Sequence, residues 1–258
     1  MPIVTSHKPG SFCWAELMTS DQPAAKNFYT KLFGWTIDDA PLGDGTFYTM
    51  LKLKDQTVGA LYQTTKQEAG IPPHWNCYVA VANVDDAAKK AAALGAKIMM
   101  PPFDVMDVGR MTVIADPTGA ALCLWQAKKH TGAGVINEPG AACWHELGTT
   151  NGDSATKFYS QFFGWGIKPL PTTPPYTVFS NAGTDIGGMY LLTGTMAGIP
   201  PHWLPYFQVS DCDATVKQAL SMGGKTIVPP MDIPGTGRFA YVQDPQGAVF
   251  AVIKLNPR

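Results

Sequence analysis

The chain carries no strong charge of either sign: 19 Lys and Arg stand against 20 Asp and Glu, a formal net charge of −1. No run of Lys or Arg breaks that balance, so the electrostatic footprint of nucleic-acid or anionic-membrane binding is missing. No apolar stretch approaches the roughly 20 residues of a membrane span. The start, Met1-Pro2-Ile3-Val4-Thr5-Ser6-His7-Lys8, lacks the basic and apolar segments of a signal peptide. Cysteine is scarce and odd in number. Cys13, Cys77, Cys123, Cys143 and Cys212 lie in apolar, strand-like segments without CxxC spacing. Reduced core thiols and a cytoplasmic protein are therefore expected. Also absent are a Gly-rich phosphate loop, a nucleophile elbow and a His-Glu-x-x-His helix.

What is present is a repeat. Cys13-Trp14-Ala15-Glu16-Leu17 returns as Cys143-Trp144-His145-Glu146-Leu147, and Phe28-Tyr29-Thr30-Lys31-Leu32-Phe33-Gly34-Trp35 as Phe158-Tyr159-Ser160-Gln161-Phe162-Phe163-Gly164-Trp165. Ile71-Pro72-Pro73-His74-Trp75 returns as Ile199-Pro200-Pro201-His202-Trp203. A period near 130 residues is too long for a solenoid unit and suits a domain. Two modules are expected, over 8–127 and 141–258, each long enough for its own core and joined by a 128–140 linker. The linker holds Lys-Lys-His, Gly-Ala-Gly and Glu-Pro-Gly.

Within module one, Phe12 to Met18 reads as a strand. Asp21 is a plausible N-cap to a helix with an apolar stripe at Ala24, Phe28 and Leu32 and at Ala25, Tyr29 and Phe33, closed by Gly34. Strands are expected over Trp35–Ile37, Phe47–Leu53 and Thr57–Tyr62, joined by Gly43-Asp44-Gly45 and Lys54-Asp55-Gln56 turns. The order recurs: strand Trp75–Val81, helix Val84–Leu94, then strands Lys97–Met100, Met111–Ala115 and Ala120–Gln126. Asp116-Pro117-Thr118-Gly119 turns between the last two, and Asp244-Pro245-Gln246-Gly247 matches it in module two. The fold class is α+β, with four β-α-β-β-β units.

The Asp21…Phe28-Tyr29…Leu32-Phe33-Gly34-Trp35 helix, its copy from Asn151 to Trp165, and the two Asp-Pro-x-Gly turns together resemble the glyoxalase/bleomycin-resistance/dioxygenase (vicinal oxygen chelate) superfamily. The resemblance covers nearly the whole chain. It implies two glyoxalase-like domains whose curled mixed sheets form cups for a small ligand, often over a divalent metal. Metal-using relatives carry His or Gln on the first strand of a unit and Glu on the final strand. The corresponding residues here are Trp14 and Trp144, Asn76 and Leu204, and Cys123 and Ala251. Indole, leucine and alanine side chains cannot coordinate a divalent ion, and Asn is a weak neutral ligand. No cofactor is expected on this reading; a divalent metal stays possible, but its ligand positions are lost.

Strand alternation puts Trp14, Glu16 and Met18 on one face and Cys13, Ala15 and Leu17 on the other. If the ligand position faces the cup, Trp14, Glu16, Tyr62, Asn76, Tyr78, Cys123 and Trp125 line module one. Trp144, Glu146, Tyr190, Leu204 and Tyr206 line module two. Such a pocket suits a flat or amphipathic organic ligand held by few polar contacts. Each residue also has a plainer role: the two Trp as core fillers, Glu16 and Glu146 as backbone-bonded glutamates or as ion-pair partners of Arg110 or Arg238. The two arginines stand as candidate ligand contacts or as ordinary loop cations. His74 and His202 read as loop residues before acid–base groups. His145, whose counterpart is Ala15, points to the helix side.

Two functions compete. One is metal-free binding of a small aromatic or amphipathic molecule. The other is a metal-dependent lyase, isomerase or oxygenase, with Glu16 or Glu146 as base or ligand. A third arrangement keeps activity in module one alone, since module two has the more apolar cup. The expected partners are a small molecule and, within the chain, the other module, with no nucleic acid and no membrane.

Overall fold

The computed structural model describes residues 3–43 and 45–257; the first two residues, the centre of the Gly43-Asp44-Gly45 turn and the last residue lie outside it. The first half runs β1 (Phe12–Thr19), α1 (Gln22–Phe33), β2 (Thr36–Pro41), β3 (Phe47–Leu53), β4 (Gln56–Gln63), β5 (His74–Ala80), α2 (Val84–Ala93), β6 (Lys97–Val105), β7 (Gly109–Ala115) and β8 (Ala121–Ala127). The second half repeats it with β9 (Ala142–Thr149), α3 (Gly152–Phe163), β10 (Gly166–Leu170), β11 (Tyr176–Asn181), β12 (Thr184–Leu191), β13 (His202–Gln208), α4 (Cys212–Ser221), β14 (Lys225–Ile233), β15 (Gly237–Gln243) and β16 (Val249–Leu255). The fold is α+β, with four β-α-β-β-β units and two glyoxalase-like modules. No helix among the described residues is long and apolar enough to cross a membrane.

Local chemistry sets the helix ends. Asp21, Asn83, Asn151 and Asp211 each accept a backbone N–H from the first turn. Gly34 and Gly164 close α1 and α3 in the left-handed region, at φ 69° and 73°. β6 outruns its expected end at Met100, continuing through Pro101-Pro102 to Val105. It is an edge strand, where a missing N–H costs no ladder bond, and its register slips at the prolines.

Each half makes one open eight-stranded mixed sheet, ordered β2-β3-β4-β1-β5-β8-β7-β6 and β10-β11-β12-β9-β13-β16-β15-β14. The two units of a half meet edge to edge through the antiparallel pairs β1–β5 and β9–β13. A bulge interrupts the alternation expected at the start of β1. Phe12 pairs with Val79 and Trp14 with Tyr78, leaving Cys13 as the extra residue. Cys13 therefore joins Trp14 on the cup face, and Phe12 turns to the helix face.

Neither module encloses its helix-side core alone. One core joins Phe28, Tyr29, Leu32 and Trp75 of module one to Phe207, Val216, Ala219 and Phe250 of module two. The other joins Val79, Ala91, Ile114 and Leu122 to Phe158, Tyr159, Trp165 and Trp203. The physical reason is coverage: two short helices cannot cover the convex face of eight strands. Each helix side is therefore completed by the partner module.

The motifs of the family resemblance are spent on this seam. The Tyr29 hydroxyl donates to Asp244 Oδ2 at 2.9 Å and accepts Trp75 Nε1–H at 3.1 Å. Tyr159 does the same with Asp116 Oδ2 at 2.9 Å and Trp203 Nε1–H at 2.8 Å. Asp116 and Asp244 also gather the backbone N–H groups of their own Asp-Pro turns. Trp35 and Trp165 donate across the seam to the carbonyls of Gly140 and Gly10. His145 stacks on Phe12 there, ring centroids 3.9 Å apart, on the opposite face of its strand from the cup. Its Nε2 is buried without a partner, and burial holds its pKa down at about 3.

Candidate functional site in the two cups

The concave face of each sheet has a carboxylate at its centre. Glu146 on β9 is 5% exposed and accepts hydrogen bonds from Tyr176 (2.7 Å, β11), Tyr206 (2.6 Å, β13) and Tyr241 (β15). The Tyr206 and Tyr241 hydroxyl oxygens lie 3.0 Å apart over that carboxylate. On a flat sheet β15 would lie three strands, about 14 Å, from β9. The curl brings the phenol over. Tyr176 reaches in because Gly188 lies between them: a Cβ there would come within 2.1 Å of the Tyr176 hydroxyl. Trp144 donates its indole N–H to that same hydroxyl at 3.0 Å.

Module one keeps the plan with fewer donors. Glu16, 7% exposed, accepts from Tyr78 at 2.6 Å, and Tyr48 beside it receives the Trp14 indole N–H at 3.3 Å. Val113 stands where module two has Tyr241. Burial raises the pKa of both glutamates, the phenol hydrogen bonds opposing it. The tyrosines around them are pushed well above the ordinary phenol range by burial and by the carboxylate. They are neutral donors at physiological pH.

Covering separates the cups. The segment 128–140 forms no helix or strand, yet Gly132, Ala133, Gly134 and Val135 are buried. Ala133 N–H bonds Cys13 O and Gly134 N–H bonds Thr57 O. The segment thus straps the start of β1 to the start of β4. His130 packs edge-on against Trp14 at 4.5 Å, and its carbonyl accepts the Trp125 indole N–H at 3.0 Å. Trp14 and Trp125 are left 5% and 6% exposed. In module two Trp144, Tyr190, Phe239 and Tyr241 remain half-buried, around a floor of Leu204, Tyr206, Ala251 and Ile253.

The structure brings Trp14, Glu16, Tyr78, Cys123 and Trp125 together in one cup and Trp144, Glu146, Tyr190 and Tyr206 in the other. Tyr62 turns its hydroxyl to Glu68 at 2.9 Å, and Asn76 Oδ1 meets His74 Nε2 at 3.1 Å. His74 and His202 open β5 and β13, each Nδ1 held by a proline carbonyl two residues before it. Arg110 and Arg238 do not reach the cups or the glutamates. Alternation along β7 and β15 turns them to the helix face, where Arg110 pairs with Asp85 and Asp104, and Arg238 with Asp213 and Asp232. Tyr48, Tyr176 and Tyr241 were not among the expected lining residues.

The match to the family described as "Glyoxalase/Bleomycin resistance protein/Dioxygenase superfamily" extends over residues 11–124 and again over 130–252. The chain belongs to this superfamily. It is 43% identical to "Putative glyoxylase CFP32" of Mycobacterium tuberculosis over 262 residues, covering the whole of both chains. It is 35% identical to "Anthracycline biosynthesis protein DauV" of Streptomyces sp. (strain C5), covering 98% of this chain and 96% of that one. Among solved structures, the Mn(II)-bound glyoxalase from Novosphingobium aromaticivorans superposes with a TM-score of 0.66 at 14% identity, covering 96% of this chain and 82% of the other. That likeness concerns the fold. A member of this superfamily can thus hold a divalent metal, while the described residues here include no group of three or more His, Cys, Asp and Glu suited to one.

The donors present fit a metal poorly. The Glu146 oxygens are occupied by three phenols, with Trp144, Leu204 and Ala251 at the family's ligand positions. In module one the Cys123 thiol is pushed up by burial, which keeps it protonated, and Asn76 Oδ1 faces His74.

Proposed function

We propose that the protein binds a small aromatic or amphipathic molecule without a metal ion, at the mouth of the module-two cup. The single observation that carries this reading is the phenol cage of Glu146 beneath half-buried aromatic rings. The cage uses up the one strong metal ligand of the cup. Trp144, Tyr190, Phe239 and Tyr241 supply flat apolar surface with hydroxyl and indole groups to orient a ligand. Module one, strapped over by 128–140, serves as the scaffold that completes the helix-side cores. A curated relative named for anthracycline biosynthesis supports a role with small organic molecules.

The test is elemental analysis of protein purified without added metal, followed by thermal-shift screens with divalent ions and with aromatic compounds. Aromatic compounds should stabilise it, by about 2.7 kcal/mol at a hundredfold excess over Kd. Stoichiometric metal that is lost on Glu146→Gln would overturn the reading.

A further inference from the structure

We infer that the module-two cup selects a positively charged aromatic ligand, with Glu146 as its counter-charge. This rests on the binding reading above and adds the sign of the ligand's charge. Tyr176, Tyr206 and Tyr241 donate to the Glu146 oxygens from neutral hydroxyls, which favours the ionised carboxylate against the burial that raises its pKa and does so without cancelling its charge. No basic side chain among the described residues forms an ion pair with it. Arg238 is turned to the helix face by its aspartates. Lys254 alternates to that same face, as Phe250 and Val252 do in the shared core. Lys168 lies on β10, three strands from β9, exposed and without an ion pair. His202, at the start of β13, is the basic side chain that faces Glu146, and its Nδ1 is engaged by Pro200 O.

The rings over this carboxylate add to the same bias. Trp144 and Tyr190 stand half-exposed beside the mouth, and a ring face attracts cations through its quadrupole. An ammonium or guanidinium attached to a flat ring would gain from the carboxylate and the rings together. A neutral ring of the same shape gains only burial. A carboxylate or phosphate ligand meets uncompensated negative charge and is rejected.

Three matched probes test this by calorimetric titration of the full chain at low salt: naphthalen-1-ylmethylammonium, naphthalen-1-ylmethanol and 1-naphthoate. The ammonium is expected to bind about tenfold tighter than the alcohol, with naphthoate weakest. Glu146→Gln should bring ammonium and alcohol within about twofold of each other. N-acetylation of the ammonium probe should erase its advantage on the unaltered protein, a check that needs no folded variant. Equal binding of ammonium and alcohol, or a preference that survives Glu146→Gln, overturns the inference and leaves the aromatic-cup reading standing. If none of the three probes binds, the cup reading itself falls.

Discussion

Trp14 and Trp144 stand at equivalent positions on β1 and β9, each bonded to a tyrosine beside the central glutamate. Over Trp14, His130 and the strap shut the cup; Trp144 keeps part of its face free. The residues beneath diverge in step. Val113 over Cys123 in module one becomes Tyr241 over Ala251 in module two, the small alanine making room for the extra phenol. Duplication has thus kept the buried carboxylate and redistributed everything that governs access to it. One cup has become a closed core and the other a lined mouth.

The sharpest way to break that comparison is to truncate both indoles. Trp14→Ala should cost about 3–5 kcal/mol in denaturant unfolding, as a buried Trp in a packed core does. Trp144→Ala should cost roughly 1–2 kcal/mol and abolish aromatic-ligand binding. Equal stability losses would mean that the two cups are equally closed. The seam between modules offers a pH test. The unfolded His145 titrates near its ordinary value of 6.5 and the folded one near 3. Stability is therefore fully present above the unfolded value and is lost as pH falls, by about 2 kcal/mol between pH 7 and 5. The raised glutamates Glu16 and Glu146 act in the opposite sense, so the measurement is a difference. His145→Phe should flatten the acid limb of the stability curve relative to the unaltered chain, and an unchanged slope would remove His145 from the seam.

A smaller effect is expected from Tyr241→Phe, which reduces the three-phenol cage to the two-phenol form of module one. It should cost about 1–2 kcal/mol and raise the pKa of Glu146 further, read by NMR titration of its carboxyl carbon. Smallest of all is Arg238→Ala. Its exposed ion pairs should leave Tm and ligand binding within experimental error, whereas a binding loss would return Arg238 to the cup.

Much of the fold was legible. The repeat announced two modules, and Asp21, Gly34 and the Asp-Pro turns marked boundaries that the hydrogen bonds bear out. Tyr29, Tyr159, Asp116 and Asp244 join the modules, a role that pattern alone does not separate from ligand binding. Of the cup, Glu16, Glu146, Tyr78 and Tyr206 were reachable by alternation and duplication. Tyr241 was not, because comparing the copies favours shared residues and its counterpart is Val113. The signal was nevertheless there: Tyr241 shares the face of Phe239 and sits opposite Ala251. Cys13 was placed on the wrong face because one inserted residue in β1 shifts the alternation, and a bulge leaves no mark in period-two patterning.

By itself the sequence determined the units, their order and the pairing of a tryptophan with a glutamate on the first strand of each module. Those are local matters of caps, turns and periodicity, settled within a few residues. Only the tertiary structure decided that each helix-side core is shared, that the 128–140 segment roofs one cup, and that three tyrosines from separate strands converge on Glu146. The reason is sheet curl, which brings side chains three strands apart within hydrogen-bonding distance.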